Sequence, residues 1–172
     1  MWVGFVGPGV NNRGMDQQTF ADETDYRPTM LALLGLQDEY QHEGRVLAEE
    51  IAPSALPSGV RENEIAFLEL AAALKQINAP LGQLGKDSLK VSTVALNGSD
   101  PNDETYTALE GQLADITNAR NALAGQMLVL LENAEFNGMP VSEREARPLI
   151  IQASLLVAYV HFLAEFTTNA GI

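Results

Sequence analysis

The chain has 172 residues, enough to bury a core as one domain, and a net charge of −13 from 23 acidic against 10 basic residues. With no Lys/Arg cluster to offset it, that charge repels a nucleic-acid backbone and an anionic membrane surface, so neither is expected as a partner. The absence of cysteine excludes disulfides, thiolate chemistry and Cys-based zinc sites.

Trp2 to Val6 is a continuous apolar run bounded by Gly7 and Pro8, the pattern of a strand covered on both faces in a parallel sheet. The run is too short and lacks the charged flank of a signal peptide. A strand needs neighbours, so this reading expects them from a preceding region of the polypeptide or from a second copy. Gly7 to Gly14 (GPGVNNRG) has turn chemistry at both ends. It lacks GxGxxG or a Lys-Ser/Thr pair, so a turn is preferred over a phosphate-binding loop.

Thr24 or Asp25 is placed to cap a short helix, with Pro28 in its first turn and Gly35 at its end. Met30, Leu33 and Leu34 are its expected apolar face. Asp22, Glu23 and Asp25 form an acidic trio that could hold a hard cation. Capping at a helix N-terminus is the preferred reading, with Arg27 as partner of these carboxylates. His42, among Asp38, Glu39 and Glu43, reads as an exposed surface histidine rather than a metal fragment. Gly44-Arg45 is expected to open a short helix ending near Ala52-Pro53.

This block also carries a resemblance. WVGFVGPGV followed by FADETDYRPTMLALLGLQDEYQHEGRVL resembles the last βα unit of the alkaline phosphatase superfamily, in a bacterial phosphodiesterase or phosphatase-like branch. The matching positions are Asp22, Thr24, Asp25, Arg27, Pro28, Thr29, Gly35, Leu36, Tyr40, Gly44 and Arg45. Glu23 stands where that pattern has a histidine. The helical segments downstream are similar to the tail of the same branch. The resemblance implies a metal-dependent phosphoesterase whose Ser or Thr nucleophile and Asp/His metal ligands lie upstream of the matched residues. The chain would then be the C-terminal part of such an enzyme and inactive alone. Zinc, calcium, manganese or magnesium is expected in the full-length parent, and a secreted or periplasmic location suits it. No catalytic, cofactor-binding or metal residue is assigned within residues 1–172. The partners implied are a missing N-terminal α/β domain or a second copy.

Pro53 to Gly59 (PSALPSG) is the clearest boundary, separating an incomplete βα segment, 1–52, from a helical domain, 53–172. Glu62 to Asn78 has Phe67, Leu70, Leu74 and Ile77 at helical steps. Leu81 to Leu96 is a weaker helix with Leu84, Ser88, Val91 and Ala95 on one face, followed by a loop over 97–102. Asp103 to Phe136 is a long helix. Leu109, Leu113, Ile116, Leu123, Met127, Leu130 and Ala134 form its seam, and Arg120 interrupts it. Arg120 is expected to snorkel or to pair with a facing carboxylate rather than to bind an anion.

Ser142-x-x-Glu145 is a capping-box signature that starts the last helix at Glu143. Leu149 to Phe166 is apolar nearly all round and long enough to span a membrane. Gln152, Ser154, His161 and Glu165 interrupt it, and central burial in a bundle or at an oligomer interface is preferred. His161 and Glu165 are expected to form a local pair. The fold class is therefore mainly α: a βα remnant followed by four helices as two hairpins or an up-and-down bundle. The sequence has no GxSxG or HExxH, so a helical oligomerisation or partner-binding module without enzymatic activity is the alternative.

Overall fold

A computed structural model describes residues 3–97 and 101–170. The chain is mainly helical, and among the described residues it has no β-strand. The expected strand over residues 2–6 is therefore not formed at 3–6, and Trp2 lies outside the described residues. The physical reason is that among the described residues no neighbouring strand is present to complete a ladder. Among the described residues the backbone pairing of β type is an isolated antiparallel bridge, Val10 to Ile51.

Among the described residues six α-helices follow one another: α1 (Tyr26–Leu34), α2 (Ser58–Glu62), α3 (Glu64–Asn78), α4 (Gln83–Asn97), α5 (Glu104–Phe136) and α6 (Glu143–Ala170). The expected long helices thus form with ends close to those read from caps and periodicity. Two details differ. The segment before α3 breaks at Asn63 into the separate five-residue α2, and Gly44-Arg45 opens no helix. Residues 42–47 instead run without regular structure into a single 3₁₀ turn, Ala48–Glu50. Of the loop expected over 97–102, residues 98–100 lie outside the described residues.

The chain divides into two compact units, one of Met1–Ala72 with Met127–Arg147, the other of Ala73–Gln126 with Pro148–Ile172.

In the first unit, a 3₁₀ turn at Glu23–Asp25, with Asp22 as its N-cap, precedes α1; Asp25, one of the two residues expected, holds the N-cap position of α1 itself, without a side-chain bond to that helix's amides. Asp22 Oδ1 accepts from the Thr24 amide at 2.9 Å, and Asp25 Oδ2 accepts from the Asp22 amide at 2.9 Å, a reciprocal capping box. Gly35 ends α1 with φ 64°, as expected of a helix-terminating glycine. The fully buried residues of α1 are Pro28 and Thr29; of the apolar face read from the sequence, Leu33 is half-buried, whereas Met30 and Leu34 are exposed. The core of this unit includes Val46, Ile51, Val60, Phe67, Leu70, Met127 and Leu131, each almost fully buried. Burial of side chains of this size contributes about 1.5–3 kcal/mol apiece. The short α2 approaches α5 closely because Gly59 has no side chain: a methyl there would sit 2.6 Å from the Ala134 carbonyl oxygen.

In the second unit, α4 buries Leu84, Asp87, Val91 and Ala95. Asp87 occupies the face position assigned to Ser88, one residue away. The α5 seam is buried at Leu109, Ile116 and Leu123. Arg120 donates to Asn78 Oδ1 on α3 at 3.0 Å, so its partner is an amide carbonyl rather than the carboxylate expected. The part of α6 in this unit buries Ala153, Val160, Leu163, Ala164 and Thr167 but leaves Ile151, Leu155, Tyr159, Phe162 and Phe166 at least half exposed. Central burial of this helix is therefore not what the fold provides. Helix α6 is long and apolar enough to cross a membrane, with a mean hydropathy of 1.7 over an 18-residue window.

Gly44 marks the tightest approach in the first unit. A methyl on it would overlap the Thr24 carbonyl group and lie 2.7 Å from the Asp25 nitrogen. Both obstacles are backbone, so neither can swing away. We expect Gly44→Ala to lower stability by about 2–3 kcal/mol, as for overpacking in a core, read as a drop in the urea midpoint. An unchanged midpoint would show that residues 44 and 24 are not held at this distance.

Candidate functional site

The densest polar arrangement surrounds residues 42–51. This stretch is buried at Val46, Leu47, Ala48 and Ile51, yet residues 44–47 belong to no helix or strand. Buried amides without a ladder need other acceptors. Three successive ones find them on side chains. The Arg45 amide donates to Asp25 Oδ1 at 2.9 Å. The Val46 amide donates to Glu135 Oε1 at 2.7 Å. The Leu47 amide donates to Thr29 Oγ1 at 2.9 Å, and that hydroxyl donates onward to the Asp25 carbonyl at 2.6 Å. Asp25, Thr29 and Glu135 are buried polar residues for this reason. Asn11 ties the far end of the stretch, with Nδ2 donating to the Glu49 and Ile51 carbonyls at 2.9 and 2.8 Å.

The Arg45 side chain, 2% exposed, forms a fork with Glu49: Nη1 to Oε2 at 2.5 Å and Nη2 to Oε1 at 2.9 Å. Its Nη1 also donates to the Val46 carbonyl at 3.2 Å. Glu135 is held far from its ordinary state. Burial pushes its carboxyl from 4.5 up to about 8, against the weaker opposing pull of the Val46 amide and the Arg45 guanidinium.

The acidic trio does not form a cation site. Asp22 and Asp25 are used in capping each other and in receiving Thr24 and Arg45, while Glu23 is exposed. Among the described residues no group of three His, Asp or Glu side chains is placed to hold a metal ion. Arg27 turns away from the trio. It pairs with Asp38 and lies 4.8 Å over the Tyr40 ring. Burial pushes the Asp38 carboxyl up, but Arg27, the Tyr40 amide and His42 outweigh it, so Asp38 sits below the usual carboxylate range.

His42 is not the surface histidine expected. It is 8% exposed, with Nε2 at 3.1 Å from Asp38 Oδ1 and its ring 6.0 Å from that of Phe136. The flanking turn residues and the lack of a second ligand motif suggested an exposed side chain, but the chain turns here against the end of α5, and an imidazole is small and apolar enough to fill the space.

An open cleft of roughly 640 Å³ lies in the first unit, walled by Phe5, Val10, Asn11, Met15, Tyr26, Leu47 and Glu50 among others. The loop from Gly7 to Gly14 forms part of this wall, held by the Asn11 amide donating to Glu50 O at 2.8 Å. Asp16, also in the wall, accepts from Thr19 Oγ1 at 2.6 Å and from the Gln18 amide at 2.6 Å. Those bonds hold its carboxyl well below the ordinary range. Neighbouring Glu50 moves the other way, raised by burial first and then by Asp16.

In the second unit the polar centre is Asp87 on α4, fully buried. Its Oδ2 accepts from Gln83 Nε2 at 2.7 Å and meets His161 Nδ1 at 3.1 Å; Lys90 Nζ lies 3.0 Å from Oδ1. Burial pushes this carboxyl up, but Gln83, Lys90 and His161 more than offset it and keep it below its ordinary value. His161 is thus joined to Asp87, not to Glu165 as the spacing suggested, and Glu165 lies 3.7 Å from Lys90 instead.

No family model, curated protein or solved structure matches the chain. What stands is the geometry. Sequence reasoning missed Glu135 and Asp87, a buried carboxylate in the polar network of each unit. Both lie one helical step from a core residue, Glu135 four after Leu131 and Asp87 three after Leu84, and that register was the available signal.

The state of Glu135 has a measurable consequence. Its folded-state pKa is raised, so the native chain keeps a proton that the unfolded chain releases between about pH 4.5 and 8. The stability this contributes is fully present below pH 4.5 and is lost as pH rises through 8. Glu135→Gln retains a carbonyl for the Val46 amide and has no proton to lose. Relative to this variant, the native chain should lose on the order of 1 kcal/mol per pH unit across that window in urea unfolding. Parallel pH profiles for the two proteins would contradict a proton on Glu135.

Proposed function

We propose that the chain is the non-catalytic C-terminal part of a metal-dependent phosphoesterase of the alkaline phosphatase type, a hydrolase of phosphate mono- or diesters. The reading is supported first by the run Asp22, Thr24, Asp25, Arg27, Pro28, Thr29, Gly44 and Arg45, which resembles that superfamily's last βα unit. One observation carries it further. The polar members of the run other than Arg27 are bonded to one another: Asp22 with Asp25 and Thr24, Asp25 with Thr29 and Arg45. Side chains committed in this way brace a scaffold, and the reactive groups of the parent would come from its preceding α/β region. In that region a divalent metal, zinc, calcium, manganese or magnesium, would activate a Ser or Thr nucleophile.

A second reading is favoured by a different feature. The exposed apolar face of α6 suits a helical oligomerisation or partner-binding module without enzymatic activity.

The DNA upstream of the Met1 codon separates the two. The first reading expects an open frame encoding an α/β region with Asp/His clusters and a Ser or Thr nucleophile. It also expects that the 172-residue chain with added metal leaves p-nitrophenyl phosphate and its diester intact. An in-frame stop codon before Met1, or hydrolysis by the chain alone, would overturn it.

A further inference from the structure

We infer that α6 is a self-association face, and that its occupant is the α6 of a second copy of this chain; the inference rests on the second reading above. Helix α6 has two apolar sides. One is buried at Ala153, Val160, Leu163, Ala164 and Thr167. The other carries Ile151, Leu155, Tyr159, Phe162 and Phe166, exposed by 51, 65, 50, 67 and 56%. At 3.6 residues per turn the two sides point about 140° apart. The exposed stripe runs over roughly 22 Å of helix at 1.5 Å per residue.

The spacing of the stripe is that of a coiled-coil seam. From Leu155 the apolar residues follow at steps of four, three and four, the d-a-d-a register in which one helix inserts its side chains between those of another. Phe162 and Phe166 already stack, with ring centroids 6.2 Å apart and planes 23° from parallel, so the aromatic end is ordered before any partner arrives. Polar residues do not block the seam. Residues 148–164 include no Asp, Glu, Lys or Arg, so the charge of −13 that each copy carries is borne elsewhere and pairing would desolvate no charged group on the stripe.

The area is what a dimer needs. A large apolar or aromatic side chain presents about 150–250 Å², so the five exposed residues leave on the order of 600 Å² per copy. Two copies would cover roughly 1,200 Å², the lower bound for a specific interface. A membrane surface fits less well. An in-plane helix needs Lys or Arg along its polar flank; the two arginines of α6, Arg144 and Arg147, both precede the stripe, and from residue 148 to 170 its charged residue is Glu165.

The test uses the full chain in sedimentation equilibrium from about 1 to 100 μM, where a modest interface is populated. A dimer is expected. Leu155→Glu with Phe162→Glu should weaken it at least about a hundredfold while leaving the far-ultraviolet circular dichroism unchanged, since both residues are exposed. The chain has no cysteine, so Phe162→Cys alone should give a disulfide-linked dimer on mild oxidation, while Leu89→Cys, equally exposed on α4, should not. A monomer at every concentration would overturn this inference and remove the oligomer reading with it. A dimer that survives the double substitution would overturn the assignment to α6 and leave the oligomer reading standing. Flotation with phosphatidylcholine vesicles that the double substitution abolishes would replace the second copy with a lipid surface.

Discussion

Three consecutive amides, those of Arg45, Val46 and Leu47, are the constraint on which the first unit depends. A buried stretch outside any helix or strand cannot satisfy its own backbone, and an unmet buried donor costs about 1–3 kcal/mol. The chain supplies one acceptor from the turn before α1, one from α1 and one from the far end of α5. Sequence separations of 20, 89 and 18 residues are closed by these three bonds. The arrangement accounts for four otherwise expensive features: a buried aspartate, threonine, glutamate and arginine. It also accounts for Gly44, whose missing side chain lets the stretch lie against the Thr24 carbonyl.

The same logic recurs in the second unit with fewer parts. Asp87 is placed at the centre of a buried helix face, where an unpaired carboxylate would be destabilising, and Gln83, Lys90 and His161 gather around it. Lys90 and His161 are about half exposed, so Asp87 reaches charge at the rim while its own body is buried. Two buried carboxylates, Glu135 in the first unit and Asp87 in the second, thus have opposite fates. Glu135 meets a single amide donor and a nearby guanidinium and is driven toward its neutral form; Asp87 meets three side-chain donors and is kept ionised.

Much of the helical content was legible because it follows from local rules. The three- and four-residue recurrence of Phe67, Leu70, Leu74 and Ile77, the Gly35 stop and the start of α6 at Glu143 are all written within a few residues of where they act. Reading failed where the outcome depends on residues far away. Met30 and Leu34 look like a core face until Thr29 is required by the Leu47 amide, which turns that side of α1 inward. His42 looks solvated until Phe136 is placed beside it. The strand expected over 2–6 required partners that local sequence cannot supply. Helix α6 was read as buried in a bundle or at an oligomer interface, since composition alone does not tell a helix with one covered and one open apolar face from a fully enclosed one.

Native-state hydrogen exchange at the amides of Arg45, Val46 and Leu47 tests the central constraint most directly. If side chains hold these donors, they open only with the unit's core, and their exchange should match that of Phe67 and Leu70 in α3 under the same conditions. Exchange as fast as that of the exposed loop residues Gln37 and Glu39 would show that the three bonds are not maintained, and that the stretch is not what holds this unit together.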